Sequence, residues 1–141
     1  MRRLTLLLIG AMLLVGACTS SDSDGGRSRS PDYTPRPGAE LFAAVADLPG
    51  VTSVDLRFND TFPAKGYVGR VTIESGVDPQ QVLDSVYAVL RQGRPGATIS
   101  VNGIQDGTTL RFELLGGRAG TAPALEKRYG PQPGDGTPPG D

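Results

Sequence analysis

Residues 99–114 read Ile99-Ser-Val-Asn-Gly-Ile-Gln-Asp106-Gly107-Thr-Thr-Leu-Arg-Phe-Glu-Leu114. Asp-Gly is a strong two-residue turn signal, because the tight hairpin turn needs positive φ at both central positions and this pair tolerates it. A turn on Asp106-Gly107 sets Val101 opposite Phe112 and Ile99 opposite Leu114, so the apolar side chains of both strands share one face. Ser100 then faces Glu113, and Asn102 faces Arg111, on the other side. A slip of one residue would send every apolar side chain to the wrong face. Turn chemistry and binary pattern agree on one register, and a hairpin of two half-buried strands follows.

Working upstream, Asp78 followed by Pro79 is a helix start: a side-chain acceptor at the cap and a pre-set φ at the first helical position. Val82, Leu83, Val86, Val89 and Leu90 give that helix its apolar stripe, and the segment Gly93 to Gly96 ends it. Before it, Val54, Leu56 and Phe58 alternate with Ser53, Asp55 and Arg57. Tyr67, Gly69, Val71 and Ile73 alternate with Val68, Arg70, Thr72 and Glu74. The period of two predicts two more half-buried strands. Leu41, Phe42, Val45 and Leu48 recur at helical spacing, and Pro49-Gly50 stops the helix they predict. The order is α-β-β-α-β-β. One polar side per strand predicts an α+β domain with a four-stranded antiparallel sheet and both helices on one face.

This order resembles a circular permutation of the ferredoxin-like fold, which implies a central strand near Phe112 and an edge strand near Val54. The joint Leu48-Pro-Gly-Val-Thr-Ser-Val54 is similar to the helix-to-strand joint of heavy-metal-associated domains. That family's paired metal cysteines are absent here, so its activity does not carry over.

The beginning of the chain bears on location. Arg2 and Arg3 precede an apolar run from Leu4 to Ala17, and small residues lead to a cysteine in Val15-Gly16-Ala17-Cys18. A basic start, a short apolar stretch and small residues at the cut site predict an export signal. The run is shorter than the about 20 residues that a membrane-spanning helix needs. Val15 to Cys18 resembles the lipobox of bacterial lipoproteins. The resemblance implies that Cys18 carries a thioether-linked diacylglycerol, becomes the first mature residue and is N-acylated. The alternative is an ordinary secretory signal with a cysteine near its end. On the lipoprotein reading the protein sits on the extracytoplasmic side of the cell membrane, held through Cys18. Two or more acyl chains hold a protein stably where one is marginal.

The chain then divides into a signal peptide over 1–17, a Ser/Asp/Gly/Pro tether over 18–37, an α+β domain over 38–116 and a disordered Gly/Pro-rich tail over 117–141, in which Ala124 to Tyr129 is expected to form one helical turn at most. Tether and tail are too poor in large apolar residues to offset their ordering entropy. A coil of the tether's length would hold the domain on the order of 25 Å from the bilayer.

Composition narrows the chemistry. The chain has 14 Lys and Arg against 15 Asp and Glu, with no basic run, so nucleic acid is not an expected partner. Of 141 residues none is His or Trp, both Met lie at or before position 12, and Cys18 is the single cysteine. Copper and zinc need imidazole, thiolate or thioether ligands, so no transition metal and no cofactor is expected. Ser/His/Asp and Cys/His nucleophile systems are excluded on the same ground.

Two surfaces remain as candidates. The polar sheet face carries Asp55, Arg57, Arg70, Thr72, Glu74, Arg111 and Glu113, with Arg70 and Arg111 expected on neighbouring central strands. Three arginines among carboxylates suit a partner or a glycan; equally, they suit a solvated face with weak cross-strand pairs. The loop from Asn59 to Gly66 is long for a hairpin and holds Phe62, which is either an exposed anchor or a lid on the end of the core. The expected function is a membrane-anchored, non-catalytic binding module that contacts another envelope protein. The alternative is an envelope enzyme or small-ligand carrier that uses carboxylates and arginines on a polar substrate such as a wall glycan, with Asp55, Asp60, Asp84, Glu74 and Glu113 as the available acids.

Mass spectrometry of the mature protein should find diacylglycerol on the thiol of an N-terminal Cys18. A Cys18→Ala variant should then move from the membrane to the soluble extracytoplasmic fraction.

Overall fold

Nine residues of alternating exposure, Val51–Asn59, form β1, and Gly66–Ile73 form β2 antiparallel to it, with Phe58 opposite Tyr67 and Asp55 opposite Arg70. These belong to a computed structural model that describes residues 33–63, 65–116 and 120–140. The expected signal peptide, Cys18 and the first part of the expected tether lie outside the described residues. Before β1 comes α1 (Gly38–Ala46), which buries Leu41 and Val45, one turn apart, with Phe42 and Leu48 half-covered beside them. After β2 comes α2 (Pro79–Leu90). The Asp78 carboxylate accepts from the amide of Gln80 at 2.8 Å, capping the helix as its Asp-Pro start predicts. Strand β3 (Thr98–Gln105) and the short β4 (Thr108–Leu110) follow, and α3 (Ala122–Tyr129) closes the element order.

The fold is α+β with a four-stranded sheet in the order β1-β2-β3-β4. The expectation of an all-antiparallel sheet needs correction, because β2 and β3 pair in parallel, Tyr67 beside Ile99 and Arg70 beside Asn102. The reason is the connection. Helix α2 carries the chain back along the sheet, so β3 starts at the same end as β2 and runs the same way; a parallel neighbour needs such a crossover. Period-two alternation is identical for parallel and antiparallel neighbours, so it cannot distinguish them. Glycines let β2 sit this close between partners. A Cβ on Gly69, whose φ is +144°, would stand 2.0 Å from the carbonyl oxygen of Asp55 on β1. Strand β1 occupies one edge, as expected. Strand β4 occupies the other, rather than the central place implied for the strand near Phe112.

The predicted hairpin register is observed, with Gly103 opposite Leu110, Ile104 opposite Thr109 and Gln105 opposite Thr108. Asp106 and Gly107 have φ of 51° and 77°, as the tight turn requires. The ladder then stops. In the continued register Val101 would exchange both backbone bonds with Phe112. Instead the Tyr87 hydroxyl from α2 donates to the Val101 carbonyl at 3.1 Å and accepts from its amide at 3.2 Å. Phe112 turns into the core against Tyr87, ring centroids 4.5 Å apart, and is 5% exposed. The next residues are satisfied elsewhere. The Gln80 side-chain amide donates to the Arg111 carbonyl and accepts from the Glu113 amide, both at 2.9 Å. Further along β3, Ile99 pairs with Gly120 in place of Leu114, its amide donating to the Gly120 carbonyl at 2.8 Å.

The C-terminal stretch expected to be disordered contains α3, and Gln132 beyond it is bonded to the domain. Leu125 on α3 is completely buried among the side chains of the main core. One large apolar residue and a set of polar ties offset the ordering entropy that composition alone suggests would prevail. The ties gather at the C-terminal end of α2. Gln132 Nε2 donates to the Tyr33 hydroxyl at 2.9 Å and to the Arg91 carbonyl at 2.8 Å, and its Oε1 accepts from the Gly96 amide at 2.9 Å. Tyr33 donates to the Gly93 carbonyl, and the Arg36 amide donates to the Gln92 carbonyl at 3.2 Å. So the part of the 18–37 tether from Tyr33 onward is held against the domain.

Replacing Tyr87 by Phe strips two buried backbone groups of their partner while leaving the ring contact with Phe112. Unmet buried polar groups typically lose about 1–3 kcal/mol each. Tyr87→Phe should therefore lower unfolding stability by about 2 kcal/mol or more in urea denaturation.

Candidate functional site

The sheet has two faces of different character. Helices α1 and α2 cover one, over Val71, Ile73, Ile99 and Val101. Strand alternation turns Ser53, Asp55 and Arg57 of β1, Val68, Arg70 and Thr72 of β2, and Ser100 and Asn102 of β3 to the other. In register these residues form rows across the sheet: Asp55–Arg70–Asn102 and Arg57–Val68–Ser100. The Arg70 guanidinium bonds the Asp55 carboxylate at 3.3 Å with both side chains well exposed. A pair in that setting contributes about 1 kcal/mol or less to stability. Both groups therefore stay available to a competing ligand.

The predicted candidates are only partly brought together. Arg57 and Arg70 share the outer face, with Arg57 exposed beside the half-buried Val68. Arg111 and Glu113 do not join them, because the chain leaves the ladder after Leu110 and Asn102 takes the place beside Arg70. Arg111 and Glu113 are exposed on the segment held by Gln80. Phe62 does not close over the core; it is 84% exposed. Cys18 lies outside the described residues.

The loop that presents Phe62 is braced. The Asn59 side chain accepts from the Thr61 amide at 3.3 Å. Asp60 lies 3.3 Å from Lys65 and 3.8 Å from Arg94, and Arg94 stacks over the Phe58 ring at 4.2 Å. The Lys65 carbonyl accepts from both the amide and the hydroxyl of Thr98, at 3.1 and 3.0 Å.

One polar cluster lies inside the protein. Asp84 sits amid the buried side chains of α2 and is 6% exposed. Arg128 of α3 grips its carboxylate with two bonds of 2.8 and 2.5 Å, and the Tyr129 hydroxyl donates to it at 2.5 Å. The bond to Asp84 pushes the Arg128 guanidinium above its ordinary range. Burial, then the bond to Asp84, pushes the Tyr129 phenol up as well. Every strong partner here is internal, so the cluster fastens α3 to α2 and offers no open acid. Its sequence signal was the acid among apolar neighbours in Val82-Leu83-Asp84, which calls for a cation elsewhere in the chain. A second buried cation, Arg91, is 4% exposed and donates to the Gly130 carbonyl at 2.6 Å, and burial lowers its pKa.

An open groove of about 890 Å³ runs beside α3, lined by Leu114, Leu115, Pro123, Lys127, Arg128 and neighbours. Among the described residues no carboxylate lines it. Among the described residues no group of three or more His, Cys, Asp or Glu could hold a metal ion, and no helix is long and apolar enough to cross a membrane. Compared with known proteins, the chain matches no family model, no curated protein and no solved structure.

Tyr129 supplies a test of the internal cluster. Its phenol ionises near 10.0 when unfolded and higher when folded, so above pH 10 the unfolded chain has lost protons that the folded one keeps. The stability this contributes is complete below pH 10 and drains away as pH rises further. Tyr33 and Tyr87 shift in the same direction, in each case first through burial. Thermal melts should fall steadily above pH 10, and Tyr129→Phe should make that decline shallower.

Proposed function

We propose that this protein is a lipid-anchored envelope protein whose domain is a non-catalytic binding module. What carries the reading is the outer face of the sheet, where no described element covers Asp55, Arg57, Arg70, Ser100 and Asn102. Arginine and carboxylate side chains on adjacent strands, weakly paired with each other, exchange readily for the charges of a second protein. A rigid sheet spends little entropy in presenting them. Anchoring through Cys18 raises the effective concentration of that face near other envelope proteins, so a modest intrinsic affinity suffices. Kinship with a permuted ferredoxin-like fold belongs to the same proposal and concerns shape alone.

The acids are poorly arranged for the enzymatic alternative. Asp84 is enclosed by Arg128 and Tyr129, Asp60 is exposed on the β1–β2 loop beside Lys65 and Arg94, and among the described residues no carboxylate lines the groove beside α3. Glycoside hydrolysis needs two carboxyl groups facing each other across a cleft.

Crosslinking in intact cells should capture one stoichiometric envelope protein. The double charge reversal Arg57→Glu/Arg70→Glu should lose it while leaving the thermal midpoint nearly unchanged. Capture of no protein, together with turnover of wall fragments by the pure protein, would overturn the proposal.

A further inference from the structure

Phe62 stands at the tip of the β1–β2 loop with 84% of its surface exposed, next to Pro63. A large aromatic residue in water is ordinary on its own, but here the chain on both sides of the ring is tied to the domain. Asn59 caps the Thr61 amide, Asp60 is bridged to Lys65 and Arg94, and the Lys65 carbonyl is bonded twice by Thr98. The fold thus presents the ring.

Where it presents the ring is decided by the parallel pairing of β2 and β3. That pairing brings the start of β3 and the end of α2 to the same end of the sheet as the β1–β2 loop. Tyr33 and Arg36 bond Gly93 and Gln92 in the segment directly after α2, and Arg94 two residues on bridges to the loop. The chain arriving from Cys18 therefore meets the domain at the end that carries Phe62. However it is arranged, the stretch from Cys18 to Tyr33 spans at most about 50 Å. Lys65, Arg94 and Arg36 lie at the same end, each paired with an acid, Asp60 or Glu40, and Asp135 lies there too, between Gln132 and Gly136. Cations flanking an exposed aromatic suit an interface of phosphate headgroups above acyl chains.

From this juxtaposition we infer that Phe62 is a second membrane contact: the domain rests end-on against the phospholipid bilayer that holds its anchor, with the ring among the headgroups. The inference rests on the lipid-anchored reading of Cys18. Alone, one ring and a few weakly opposed cations bind a bilayer feebly. Joined to an anchor in that bilayer, the contact becomes intramolecular and forms readily. End-on docking also leaves the outer sheet face turned sideways, open to a partner in the same membrane.

The chain contains no tryptophan, so Phe62→Trp creates a single fluorescent reporter, and Thr109→Trp on β4 reports from the opposite end of the sheet. The full-length protein, purified with its lipid from membranes, is reconstituted into vesicles of phosphatidylethanolamine and phosphatidylglycerol with or without brominated acyl chains. The Phe62→Trp reporter should shift to the blue and lose most of its emission to bromine, while the Thr109→Trp reporter does neither. Protein that floats with the vesicles but shows two reporters alike in water-like emission overturns this inference and leaves the anchor standing. So does a Phe62→Trp reporter that is unquenched by bromine and shifts only when envelope protein is added, which assigns the ring to a protein pocket. Protein that fails to float, with no acyl mass on Cys18, removes the anchored reading and this inference with it.

Discussion

The hydroxyl of Tyr87 fills both backbone valences of Val101 on the β4 side of β3, and the path of the rest of the chain follows from that exchange. A continuing hairpin would have occupied the same two groups with Phe112. With the place taken, Phe112 is released to pack its ring into the core, Gln80 secures Arg111 and Glu113, and Gly120 returns to pair with Ile99. Helix α3 is then delivered onto α2, where Arg128 and Tyr129 enclose Asp84. The backbone groups that leave the ladder thus find other partners, exposed ones on Gln80 and buried ones on Tyr87.

Much of this was legible residue by residue, and the gaps have a common cause. The Asp106-Gly107 turn, the Asp78-Pro79 helix start and the alternation in β1 and β2 are local, and local chemistry determined them correctly. The direction of β3 relative to β2 is not local, since an alternating strand looks the same beside either kind of neighbour. The end of the hairpin ladder escaped because it depends on a phenol from a helix far back in the chain. The tail escaped because glycine and proline dominate its composition. One Leu125 and one Gln132, placed against the right surfaces, outweigh them.

The candidate surfaces divide along the same line. Arg57 and Arg70 were placed by alternation and do share a face, whereas Arg111 and Glu113 were placed by extending a ladder that ends early. The buried and exposed ionic contacts also play different parts. Arg128 on Asp84 is fully engaged and holds two helices together; Arg70 on Asp55 lies in water and is easily displaced. Only the second kind is free to serve recognition. The outer face can thus change its charges over evolution without threatening the core beneath it.

Tyr33, Gln132 and the turn after α2 meet at one knot, so the first described residues and the stretch directly after α3 are tied to the domain at the same corner. On the proposed anchored reading, load arriving through the preceding chain is taken up at that corner, by the contacts of Tyr33 and Arg36, before it reaches any strand. A pull on that chain would meet the contacts of Tyr33 and Arg36 before any β-ladder, so a few residues could peel away while the sheet stayed whole.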